Sequence, residues 1–184
     1  MVPVPRNKSV LKKSEFKPMN VFTHALAPVI ICRCLLARKM PVKPLQYMMI
    51  GLAGAMPDLL NPHLSLDARL TSWSHGLPFW LLVTIVFLFA TRIKKLCLST
   101  QLAVIFSLSY LFHMFCDSIS GGINWLYPWR EFLWGEYWVA PGYWIPLDIF
   151  CILSVYYLFR FKPLIEKVKQ AKLRSQGNSS DLVS

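Results

Sequence analysis

The chain has 184 residues, of which 55% are apolar and only 16% charged. That balance excludes a disordered chain, and it leaves too few polar residues to give a set of helices the wet outer faces a water-soluble bundle needs. The net charge of +11 would suit nucleic acid, but the basic residues sit in tails and short loops beside apolar runs. Membrane topology and anionic lipid place them there, so membrane lipids rather than nucleic acid are the expected partners.

Residues 1–19 form a basic arm carrying Arg6, Lys8, Lys12, Lys13 and Lys17. The first apolar run, "VFTHALAPVIICRCLLA" (21–37), is interrupted by Pro28 and Arg33 and has no small-residue cleavage site after it. It predicts an uncleaved first helix rather than a signal peptide. Pro41 and Pro44 separate it from a second helix over 45–60, and residues 58–76 read as a loop with a Ser or Thr cap before the third helix, 77–90. That third run, "LPFWLLVTIVFLFA", is apolar all round. A turn at "RIKK" (92–95) leads to a fourth helix over 100–116. Residues 120–144 hold five of the seven tryptophans, a composition that suits the headgroup level of a bilayer. A fifth helix covers 145–159, and 163–184 reads as a polar, basic tail. The expected fold is all-α: a polytopic membrane bundle of about four to five apolar helices, domain 20–162, with a Trp-rich interfacial segment roofing one end. The runs fall short of the roughly 20 residues that a bilayer needs unless their polar ends count too. Cys32, Cys34, Cys97, Cys116 and Cys151 lie mostly within apolar runs, and the "CRC" spacing is too tight for a zinc knuckle. They read as small buried hydrophobes.

Few ionisable residues interrupt these runs, and they sort by end. His24 opens the first helix, Asp58 closes the second, His75 opens the third, His113 and Asp117 close the fourth, and Asp148 opens the fifth. In successive antiparallel helices all six fall at one end of the bundle. The clusters Arg38/Lys39/Lys43, Arg92/Lys94/Lys95 and Arg160/Lys162/Lys167 fall at the other. His113 and Asp117 are four residues apart and share one helix face. Ionisable groups at membrane depth are costly and mark functional sites. Three histidines with two or three carboxylates suit a divalent cation, zinc foremost, because zinc takes imidazole nitrogen and carboxylate oxygen. Other polar residues have plainer readings: His63 follows Pro62 in a loop, Asp67 pairs with Arg69 or water, and Asp148 is either a helix cap next to Pro146 or part of the cluster.

The segments "FTHALAP", "GLAGAMPDLLNP", "SWSHGL" and "YLFHMFCDSISGGINWLYPW" resemble, in that order, the pattern of the YdjM family of membrane-bound, metal-dependent hydrolases. The ordered set His, Asp, His, His-x-x-x-Asp is also similar to that of zinc-dependent phospholipase C and the P1-type nucleases. The resemblance implies that Asp58, His75, His113 and Asp117 surround one metal and that Asp117 bridges to a second held by His24. It also implies phosphoester hydrolysis by metal-activated water. The chain departs from the family pattern at Leu60 and Asn61, where a second Asp and a His are usual, and at Leu70 and Thr71, where a His-Arg pair is usual. By that resemblance the first metal position is complete and the second is short of ligands.

The function expected is that of a hydrolase in a bacterial inner membrane, acting on a phosphoester of a lipid or lipid-linked molecule. One or two divalent ions, zinc by preference, serve as cofactor, and Asp58 is the candidate base. Two rivals stand beside it. A proton- or cation-handling transporter would spread polar residues through the membrane depth and show a repeat; a non-catalytic scaffold would keep the metal for structure alone. The three basic clusters argue that their end faces the cytoplasm and the metal site the outer side. The basic arm, at the metal end, argues the reverse.

Overall fold

Each apolar run of the sequence becomes a helix. The computed structural model describes residues 21–36, 41–62, 66–96, 98–136, 138–139 and 141–180. The arm 1–19, Arg38, Lys39, His63 and Cys97 lie outside the described residues. The helices are α1 (Val21–Ile31), α2 (Pro44–Leu60), α3 (Leu77–Ala90), α4 (Thr100–Ile119), α5 (Trp144–Tyr156) and α6 (Lys162–Ser180). α1 runs on through a π-helical turn, Cys32–Leu36, and another, Tyr157–Phe161, joins α5 to α6.

The helix boundaries follow from local chemistry. Pro44 opens α2, where its missing N–H costs nothing, and the Gln46 side chain accepts from the Lys43 amide at 2.8 Å. Ser99 caps α4 by accepting from the Leu102 amide. α4 ends at Ser120, and the chain reverses through Gly121 and Gly122, both at positive φ. The serines expected to cap α3 do not: Gly76 holds the N-cap position, and Ser72 and Ser74 are used elsewhere.

α2 is central, packing on both α1 and α4, while α3 lies against α4 and α5 against α1. Val29, Cys32, Tyr47, Ile50, Leu102 and Phe106 form one core, and Val83, Tyr110, Met114 and Ile123 a second. α1 and α2 approach closely at Gly54, where an added Cβ would come within 2.3 Å of the His24 carbonyl oxygen. Pro28 stands four residues after His24 and offers that oxygen no amide.

Among the described residues, two helices are long and apolar enough to cross a membrane: α4, and the continuous run Trp144–Leu173. The first helix (Phe22–Leu36) and α3 are apolar but shorter. Their outer faces are bare: Leu81, Leu82, Ile85 and Phe89 on α3 and Ile145, Ile149, Phe150 and Leu153 on α5 are all more than half exposed. So much contiguous apolar surface suits lipid rather than water.

The segment after α4 is not helical. Ile123–Asn124 (β1) pairs antiparallel with Leu133–Trp134 (β2) in a small hairpin. The Leu77 amide donates to the Trp125 carbonyl at 2.7 Å, and Gly76 lies against the Tyr127 carbonyl, so this segment sits on the loop leading into α3. Trp129 is 81% exposed and Trp138 57%. At the other end Arg33 stacks over Tyr47 and Phe159, tying α1, α2 and the α5–α6 junction together. Cys32, Cys116 and Cys151 are buried free thiols, whereas Cys34 is exposed. From residue 163, where the sequence reads as a tail, the chain is helical through Ser180.

Candidate metal centre

Two elements besides α4 deliver side chains to one point. Asp58 comes from the last turn of α2, His75 from the 3-10 turn Trp73–His75 that precedes α3, and His113 and Asp117 from adjacent turns of α4. One ligand atom from each of the four lies within 4.8 Å of all the others. His75 Nε2 is 3.1 Å from Asp117 Oδ2 and 3.4 Å from Asp58 Oδ1. His113 Nε2 is 3.3 Å from Asp117 Oδ2, 3.6 Å from Asp58 Oδ1 and 3.4 Å from His75 Nε2. His75, His113 and Asp117 are fully buried, and Asp58 keeps 12% of its side-chain surface open.

These spacings fit a cation. A tetrahedral ion with ligand bonds of about 2.0–2.1 Å sets its donors roughly 3.3–3.4 Å apart, and the five distances above scatter around that edge. The donors are also of the right kind. A carboxylate only accepts, and two imidazole nitrogens turned toward two carboxylates bring lone pairs together. Such a group is stable in a dry interior only with a proton or a metal ion between its members.

The surroundings fix the imidazoles for that purpose. His113 Nδ1 donates to the Gly54 carbonyl at 2.8 Å, which leaves the Nε2 lone pair facing the centre. His75 Nδ1 faces Ser72 Oγ at 3.0 Å and Ser74 Oγ at 3.1 Å. Ser74 spends its own proton on the Pro57 carbonyl, and Ser72 accepts from the Asn61 amide. The serines can therefore receive Nδ1–H and free Nε2. Tyr110 donates to the Ser74 carbonyl and pins the turn to α4.

Arg69 is the residue that sequence reasoning missed. It is 1% exposed, reaches Asp117 Oδ1 at 2.7 Å with one nitrogen and donates to the Ser120 carbonyl with the other. The sequence suggested Asp67 or water as its partner and sought an arginine at Thr71. The available signal was a guanidinium in the short, otherwise uncharged stretch "ARLTSWSHG", which has to fold back onto apolar helices. Arg69 also bears on the second metal that the resemblance implies. His24 Nε2 lies 3.6 Å from Asp117 Oδ1, the same oxygen that Arg69 holds. His24 therefore sits beside the four-donor group rather than in it, its ring 4.3 Å from that of His113. Its Nδ1 is buried with no hydrogen-bond partner among the described residues. Asn61, where the family pattern has histidine, supports Ser72. Asp148 is not at the centre: it accepts from both the amide and the hydroxyl of Thr23 and so anchors the first turn of α1 against α5.

No curated protein and no solved structure matches the chain. A family model does, over residues 19–175, and it is described as the YdjM inner membrane protein. The match covers every helix that builds the centre and both candidate spans. The chain belongs to the YdjM family of inner membrane proteins.

Proposed function

We propose that the protein is a membrane-embedded, metal-dependent hydrolase with a single divalent cation, acting on a phosphoester of a lipid or lipid-linked molecule. The observation that carries this reading is the four-donor group itself, in which His75, His113 and Asp117 are fully sealed and Asp58, though both its oxygens are buried, keeps 12% of its side chain open. A purely structural site is closed on all sides, whereas a catalytic one keeps a side open to reactants. His75, His113 and Asp117 would hold the ion. Bound there, it would supply Lewis acidity, making water nucleophilic near neutral pH and drawing charge from a phosphoryl oxygen. Zinc matches the mixed nitrogen and oxygen donor set.

The chain's own residues would do the rest. Asp58, the least buried of the four residues, would orient the attacking water and take its proton as general base. Arg69 neutralises Asp117 from behind and occupies the oxygen that a second cation would need, which favours one ion over two. Substrate access would come from the bilayer. An apolar groove between α1 and α4, lined by Pro28, Ile31, Cys32, Leu108, Ser109 and Phe112, begins one turn along α1 from His24 and would take an acyl or isoprenoid chain. In this reading all five apolar helices cross the membrane, their polar ends lengthening the short runs. The transporter alternative would need ionisable groups through the membrane depth. In α3 there are none, and in α4 they are confined to the last two turns.

The test is hydrolysis by detergent-purified protein supplied with zinc or manganese, using a long-chain phosphoester and a soluble aryl phosphodiester. Asp58→Asn is expected to keep its metal and lose at least about a hundredfold in kcat. If the metal-loaded wild type turns over neither substrate class, the catalytic reading fails and a structural ion remains.

A further inference from the structure

α6 has no role in the centre, yet its chemistry is specific. The run Trp144–Leu173 is 30 residues of unbroken helix, about 45 Å at 1.5 Å per residue. A hydrocarbon core of about 30 Å leaves roughly its last ten residues outside. Those residues are amphipathic. At 100° per residue, Phe161, Leu164, Ile165 and Val168 fall on one stripe; Leu164 is 55% exposed, Ile165 47% and Val168 62%. Lys172 falls on that stripe one turn beyond Val168, Lys169 borders it, Lys162 and Lys167 flank it on either side, and Glu166, on the far face, is the one acid between 162 and 173. Among the described residues, α6 packs chiefly on the π-helical turn before it.

We propose that α6 docks along the membrane surface, its apolar stripe in the headgroup–acyl boundary and its lysines on anionic phospholipid. The turn Tyr157–Phe161 lies where the helix leaves the hydrocarbon, and π-helical turns are common places for a helix to bend. Charge decides the occupant. A second copy of α6 laid parallel on the stripe would bring Lys169 and Lys172 against the same lysines, and Glu166, on the far side, is not placed to offset them. An anionic leaflet meets the same residues with opposite charge, and the lysine stems lengthen the apolar contact while their heads reach the phosphates. Basic juxtamembrane segments of this kind hold the cytoplasmic leaflet. Docking there sets the α6 end inside the cell and the metal centre, at the opposite ends of the helices, on the outer face.

The experiment is limited trypsin digestion of the full chain in nanodiscs of phosphatidylcholine alone or with phosphatidylglycerol, read by mass spectrometry at Lys167, Lys169 and Lys172. Cleavage at the exposed Arg130, in the hairpin at the other end, is the internal control. Docking predicts that cleavage in α6 slows at least tenfold in the anionic discs, relative to Arg130. The slowing should disappear at 0.5 M salt and in Leu164→Ser with Val168→Ser, a surface variant that keeps every trypsin site. Equal rates in the two lipids would overturn the proposal. So would protection in detergent that grows with protein concentration, because a second copy would then be the cover.

Discussion

Asp117 has two oxygens with two tasks. Oδ1 takes the Arg69 guanidinium at 2.7 Å, and Oδ2 faces the two imidazoles. The arginine orients the carboxylate and removes part of the cost of burying its charge. With the histidines neutral, Asp58, Asp117 and Arg69 sum to one negative charge, which a divalent cation reverses to one positive. Arg69→Met therefore leaves the carboxylates dependent on the metal alone. It is expected to lower the stability of metal-free protein by about 3–5 kcal/mol, and added zinc should raise the melting temperature of the variant more than that of the wild type. Equal shifts in thermal unfolding would mean that Arg69 does not share the charge of the site.

Among the helices, the contact of α1 with α2 matters most, because it sets both His24 and the Gly54 carbonyl that orients His113. A methyl at Gly54 would meet the His24 oxygen at 2.3 Å, backbone against backbone, while one at Gly51 would meet the Ala25 oxygen at 3.2 Å. Gly54→Ala should therefore cost about 1–3 kcal/mol through overpacking and lower the site's metal affinity, and Gly51→Ala should do less of both. Unfolding midpoints and metal titrations of the two variants check the order. Elements of this kind were legible in the sequence: the apolar runs and Pro44 set the helices close to where they are found, and α3 covers the same residues, 77–90. α6 was not legible as a helix because its lysines and glutamine read as a solvated tail, although Lys, Glu, Gln, Ala and Leu are all strong helix formers. The hairpin at Ile123–Asn124 was hidden by its two-residue strands, too short to show an alternation.

For the whole molecule, the sorting of polar residues to one end was readable because antiparallel succession alone places them. Contacts made across the fold were not. Arg69 meets Asp117 on a different element, Asp148 serves α1 rather than its own helix, and Ser72 and Ser74 hold His75 instead of capping α3. Periodicity and spacing describe one helix at a time and carry no information on such pairs. Taken together, the molecule sets its four-donor group where α1 and α3 begin and α2 and α4 end. A separate aromatic and basic cluster, Arg33, Tyr47, Phe159, Arg160 and Lys162, lies at the other end. The claim on which this account rests is that His75, His113 and Asp117, with Asp58 beside them, form one cation site. The direct measurement is metal content by mass spectrometry of detergent-purified protein, for the wild type and for His75→Gln with His113→Gln. The account predicts about one zinc or manganese per wild-type chain and under a tenth of that in the double variant. A wild type that carries no metal after zinc and manganese supplementation, or a double variant that carries as much, would contradict it.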